Sequence, residues 1–146
     1  MKALIFTLIL LSSTASFAAS CQQVAHTIAQ QKSLPAAELA DILDSLNRNQ
    51  HLPEKFVTKK QAKSSGWQPG DSLWQTQPGK SIGGDRFNNR EQRLPQGGYF
   101  EADLDYQGKK RNAKRFIYQT ARDSNHAARY ITTDHYTTFS EVPACQ

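Results

Sequence analysis

The chain is poor in cysteine, with only Cys21 and Cys145 among its 146 residues. Neither stands in a metal-ligand or nucleophile pattern, so the sequence offers no metal site and no thiol chemistry. Long hydrophobic runs are missing too. The longest, from Ala3 to Leu11, falls well short of the roughly 20 residues that a bilayer-spanning helix needs. There is no internal repeat and no low-complexity tract, which sets aside solenoids and disordered arrays. Acid is in short supply as well: 13 Asp and Glu face 18 Lys and Arg, for a formal charge of +5 and a pI of 9.3. A basic balance favours an anionic partner, whether nucleic acid, membrane surface or acidic polysaccharide. The bland alternative is that many small exported proteins are basic without a sharp reason.

What is present begins with a leader. MKALIFTLILLSSTASFAA has one Lys, an apolar run and small residues ending Ser16-Phe17-Ala18. This reads as a secretory signal peptide over 1–18, with cleavage near Ala18 and a destination in the periplasm or outside the cell. About 125 residues remain, enough for one domain with a core. The organisation expected is an N-terminal extension with a short helix over 19–34 and a main domain over 35–146. In an oxidising compartment Cys21 and Cys145 read as one disulfide tying the ends together. The alternative is lipid attachment at Cys21, because AASC faintly resembles a lipoprotein signal; that would leave Cys145 unpaired.

Periodicity divides the chain in two. Cys21 to Gln31 fits a short helix, and PAAELADILDSLNRN sets Leu39, Ile42, Leu43 and Leu46 at the spacing of a buried helical stripe. Thr58 is placed to cap a third helix ending before Gly66. Gln68 to Pro78 reads as loop. Beyond Lys80 the period becomes that of strands. YFEADLDY puts Phe100, Ala102, Leu104 and Tyr106 on one face and Glu101, Asp103 and Asp105 on the other. Gly108 marks a turn, AKRFIYQT returns, and ARYITTD and TTFSEV supply two further strands. Helices followed by antiparallel strands predict an α+β fold, N-terminal helices packed on a C-terminal antiparallel β-sheet.

The polar residues on those strands suggest chemistry. Arg111 and Arg115 are four apart, near the acids of the preceding strand, and His135 closes a later one. Arginine beside carboxylate is often a structural ion pair, but its planar fork also matches phosphate oxygens. Carboxylate, imidazole and guanidinium together suit metal-free phosphodiester cleavage: a base takes a proton, an acid returns one, and cations stabilise the phosphoryl charge. His26 and His51 read as structural or solvent-facing, and His126 as a surface residue in the turn ARDSNHA.

The blocks LPEKFVTKKQA, GW, PGKSIGGDRFNNRE, LP, EAD, RNAKR and TTDHYTTF, in this order from about Asp41 to Phe139, resemble the barnase and binase family of small secreted bacterial guanyl-preferring ribonucleases. The resemblance implies the microbial ribonuclease fold, no cofactor and no metal, a monomer free of the membrane after leader removal, and single-stranded RNA as substrate. By position it makes Glu101 the general base and His135 the general acid. Lys59, Arg111 and Arg115 become the cations around the phosphate, and Asp103 the acid bracing the arginines. Phe87, Asn88, Asn89, Arg90 and Glu91 become the guanine-binding loop, and Tyr136 a residue near phosphate or base. It also implies a barstar-like acidic inhibitor protein. Two positions depart from the best-known members: Lys114 stands where an acid is usual, predicting tighter and more salt-sensitive RNA binding, and Phe100 stands where Arg is usual. The competing reading is a basic secreted protein that binds RNA or another polyanion without cutting it.

Overall fold

The computed structural model describes residues 9, 11–13, 19–120 and 127–146. Most of the expected leader, and the ARDSNHA turn through His126, lie outside the described residues. Three helices come first: α1 (Cys21–Lys32), α2 (Ala36–Asn49) and, after the two-residue strand β1 (Phe56–Val57), α3 (Lys59–Ser64). Strands β2 (Ser81–Phe87), β3 (Tyr99–Asp103), β4 (Arg115–Tyr118), β5 (Arg129–Thr132) and β6 (Ser140–Glu141) follow. The strands form one sheet in sequence order, antiparallel throughout except that β1 runs parallel to β2. The fold is α+β, as the change of period predicts.

α1 and α3 are each started by a side-chain cap. Ser20 caps α1 by accepting from the Gln23 amide at 3.1 Å, and left-handed Ser33 ends it. Thr58 and Gln61 form a reciprocal capping box at α3, satisfying two orphan donors of the first turn. The expected stripe of α2, Leu39, Ile42, Leu43 and Leu46, is fully buried.

Strand alternation then sorts the sheet into two faces. Ala102, Phe116, Tyr118 and Ile131 join the α1 and α2 side chains in the main core, with Leu104, just past β3, joining the same cluster. Tyr99 and Ile117 point the other way and pack with Leu94, Phe87, Tyr130, Tyr136 and Phe139. That second face is the one Glu101 shares by parity on β3.

Two expectations need correction, and one strand has no counterpart among the expected elements. The strand expected over YFEADLDY stops at Asp103, because Asp105 takes a left-handed φ of 56° and its amide turns to Glu38. Asp105 therefore leaves the face of Glu101 and Asp103, and Tyr106 packs in a separate cluster with Trp67 and Leu73. The segment read as loop between Gln68 and Pro78 contains a 3-10 turn at Leu73–Gln75, held by Leu73 burial and by its amide donating to the Tyr106 hydroxyl. Finally β1, too short to carry a period, pairs beside β2. Gly83 is what lets them close, since a Cβ there would lie 2.6 Å from the Phe56 ring; on its other side, the β2–β3 ladder shifts register between Gly83 and Asp85.

Cys21 and Cys145 form the expected disulfide, with Cα atoms 4.9 Å apart across a sequence separation of 124. Main-chain bonds reinforce it, Cys21 N to Gln146 O and Gln146 N to Ala19 O. Asn47 of α2 donates to both Cys21 Sγ and Cys145 O while accepting from the buried Arg129 of β5. Burial lowers the pKa of that guanidinium. Loss of the bond in a Cys21→Ser/Cys145→Ser variant is expected to cost about 2–4 kcal/mol in urea unfolding. Activity of the folded protein should be unchanged, since the bond lies in the core on the helix side of the sheet.

Candidate active site

The face of the sheet away from α1 and α2 carries a chain of polar contacts running from β3 to the turn after β5. On β3, Asp103 is almost fully buried and holds two arginines. Arg111 grips it through a two-pronged fork, Nε to Oδ2 at 2.7 Å and Nη2 to Oδ1 at 2.8 Å. Such forks are charge-assisted and fix orientation as well as position. The bond to Asp103 raises the Arg111 pKa above its ordinary value despite burial.

Arg115 faces Asp103 across the β3–β4 ladder. Its Nε is 3.1 Å from Asp103 Oδ1 but not aligned for a hydrogen bond, so that contact is one of charge. The guanidinium is anchored instead by Nη1, which donates to the carbonyls of Asn112 and Lys114. The direction of both arginines is thus set by one carboxylate and two carbonyls.

Two residues up β3, Glu101 accepts a hydrogen bond from the Tyr136 hydroxyl at 2.9 Å. Burial, then the Glu101 charge, pushes the Tyr136 phenol up to about 12, with Arg115 pulling the other way. Tyr136 therefore remains a donor at any ordinary pH. Its ring stacks on Phe87 with centroids 5.2 Å apart, and the His135 ring lies 4.6 Å away on its other neighbour. The His135 amide donates to Ala113 O at 3.0 Å, which ties the His135 backbone to the segment between Arg111 and Arg115. One tyrosine thus joins Glu101 and His135, whose codons lie far apart.

The loop after β2 forms the wall of an adjoining cleft of about 270 Å³, lined by Phe87, Asn88, Asn89, Arg90, Glu91 and Tyr136 among others, with Glu101 at its inner edge. Asn89 adopts a left-handed φ of 42° and its amide closes the loop, donating to Leu94 O and accepting from Leu94 N. Glu91 is paired with Arg93 at 2.8 Å, and Arg93 also donates to Thr137 O. The pair is largely solvent-exposed, so it opens at little cost.

Of the residues picked out from sequence, Asp103 holds Arg111 and Arg115, and Glu101 holds Tyr136, whose ring neighbours that of His135; Phe87 to Glu91 line the cleft together with Glu101 and Tyr136. Lys59 stands to one side. It opens α3, and its amide donates to Asp85, the register partner of Glu101, at 3.0 Å. Lys114 does not add to the groove: its ammonium pairs with Asp105 at 2.8 Å. The expected tightening of RNA binding from that residue loses its basis. Phe100 faces the helices, stacked on Tyr118 with the Arg86 guanidinium over its ring.

Sequence reasoning missed Arg93 and the group Thr132, Asp134, Thr137 and Thr138. The second had a signal, an Asp with Thr two before and three and four after it, which is the pattern of a side-chain-closed turn.

A six-stranded α+β sheet bearing a carboxylate, an imidazole and two braced guanidiniums beside an aromatic cleft defines a phosphate-handling enzyme. Comparison with known proteins makes this specific. A family model described as ribonuclease matches residues 40–143. Curated relatives named ribonuclease, from Heyndrickxia coagulans, Bacillus intermedius and Bacillus pumilus, are each 43% identical over 105 residues, or 69% of this chain. The match spans 92% of the first relative and 62% of each of the other two. The chain belongs to the barnase-like bacterial ribonucleases, enzymes that cleave RNA.

Proposed function

We propose that the enzyme cuts single-stranded RNA on the 3′ side of guanosine, in two steps and without a metal. Glu101 takes the proton from the ribose 2′-OH as that oxygen attacks the phosphorus. The bond from phosphorus to the departing 5′-oxygen breaks, and His135 protonates that oxygen. A 2′,3′-cyclic phosphate results. Water then opens it with the two roles exchanged, leaving a 3′-phosphate. Arg111, Arg115 and Lys59 stabilise the charge on the phosphoryl oxygens. DNA, lacking the 2′-OH, binds without reacting.

The observation carrying this reading is the single tyrosine that bonds to Glu101 and packs against His135, beside two arginines oriented by one buried acid. Incubation of a GpN dinucleotide in EDTA should release guanosine 2′,3′-cyclic phosphate. Binding of the dinucleotide without any cyclic product would favour a non-catalytic RNA-binding protein instead.

Base choice is assigned to the cleft. Glu91 accepts from guanine N1–H and the exocyclic amine, backbone amides of Asn88 to Arg90 meet O6, and Phe87 and Tyr136 offer stacking surface worth about 1–3 kcal/mol. Adenine presents the opposite donor pattern to Glu91. Glu91→Ala is therefore expected to lower the ratio of GpN to ApN cleavage about tenfold or more while kcat on GpN falls less. An unchanged ratio would remove Glu91 from recognition.

Export to the periplasm or the medium is part of the same proposal, supported by the leader sequence and by a disulfide that persists only where thiols are oxidised. So is a small acidic inhibitor covering Lys59, Arg111, Arg115 and His135 by charge complementarity. A barstar-type protein is expected to inhibit at micromolar concentration or below. Undiminished cleavage at that concentration would count against the inhibitor.

A further inference from the structure

The turn that presents His135 and Tyr136 is unusual in its backbone. Both residues are left-handed, with φ of 52° and 70°. Side chains with a Cβ avoid that region, and two in succession need something to hold them. The holder is one carboxylate. Asp134 Oδ1 accepts from Thr132 Oγ1 at 2.9 Å, from Thr137 N at 3.2 Å and from Thr138 N at 2.9 Å, while Oδ2 accepts from Thr138 Oγ1 at 2.6 Å.

The network reaches the active residues directly. Thr132 Oγ1, buried at the end of β5, donates a hydrogen bond to Asp134 and accepts one from the Tyr136 amide at 3.0 Å. Thr137 Oγ1 closes the turn by donating to Asp134 O. Although its side chain is at the surface, Asp134 is held down to about 2 by these bonds, led by those from Thr138. Among the described residues it neither lines the cleft nor pairs with an arginine, so its four bonds all serve the turn that carries His135 and Tyr136.

We propose that Asp134 is a positioning residue for RNA cleavage, building the left-handed pair on which the His135 imidazole and the Tyr136 hydroxyl are aimed at the Glu101 side of the groove. The proposal rests on the assignment of His135 as the acid. Asp134 acts only through its two neighbours, and loosening the turn lets the imidazole drift from the departing oxygen. A displacement of about 1 Å costs up to about a hundredfold in rate.

The experiment is a double-mutant cycle on GpN cleavage, read as kcat and KM separately. Asp134→Ala is expected to lower kcat by about 10- to 100-fold with KM nearly unchanged. Asp134→Asn keeps the Oδ1 acceptor and should restore most of kcat. Because Asp134 works through His135, the Asp134→Ala/His135→Gln double variant should be no slower than His135→Gln alone. Wild-type kcat in Asp134→Ala beside an impaired His135→Gln overturns the positioning role alone, as do losses that add in the double variant. Full activity in His135→Gln overturns the acid assignment and this proposal with it. Should Asp134→Ala fail to fold, Thr132→Val, isosteric and lacking the bridging hydroxyl, is held to the same outcomes.

Discussion

Replacement of Glu101 by Gln is expected to lower kcat for GpN cleavage by about 10²–10⁴-fold, the usual contribution of a positioned general base. The substitution keeps size and shape. Its amide oxygen still accepts from the Tyr136 hydroxyl, so the groove stays closed and the protein stays folded. Under the proposed mechanism, what disappears is the capacity to take the 2′-OH proton. His135→Gln is expected to fall by a comparable factor, because the 5′-oxygen then leaves unprotonated. The two losses should not add, since base and acid serve one concerted displacement. Circular dichroism together with rapid-mixing assays on GpN checks both points. Retention of more than about a tenth of wild-type kcat in Glu101→Gln would place the base elsewhere.

Asp103→Ala is expected to act on stability and catalysis together. Its carboxylate is the one acid held by both Arg111 and Arg115, and Arg115 is only 3% exposed. Removing the acid leaves a buried guanidinium without its counter-charge, and breaking such a pair costs about 3–5 kcal/mol. Replacing an exposed acid such as Asp44, paired with Arg48 along α2, should cost far less. The rate should fall as well, because Arg111 loses the fork that aims it. Urea unfolding of the two variants, with kcat measured under folding conditions, separates the effects. Equal stability losses at Asp44 and Asp103 would show that burial of the pair contributes nothing.

Much of this was legible in the amino-acid order, and the remainder was hidden for identifiable reasons. The stripe of α2 and the cap of α3 rest on local spacing and local hydrogen bonds, so they could be read directly. The alternation of β3 placed Glu101 and Asp103 on one face correctly. It failed at Asp105, because a left-handed residue breaks the period without any glycine to announce it. The groove itself became readable only through blocks resembling known ribonucleases. Spacing alone could not show that a residue in TTDHY meets a residue in EAD, since their contact depends on sheet register. The direction of Lys114 was equally invisible, because its choice of Asp105 follows from the turn that the period missed. Arg93 escaped for a similar reason: its link to Thr137 joins two loops that neither periodicity nor motif connects.

Fastening the start of the first helix to Cys145 closes a covalent loop around nearly the whole of the helices and the sheet. Main chain beside the cross-link is itself paired with main chain, so the two segments joined there must come apart together. A thiol reductant that opens the bond should therefore loosen helix and sheet at once, and not one margin of the fold.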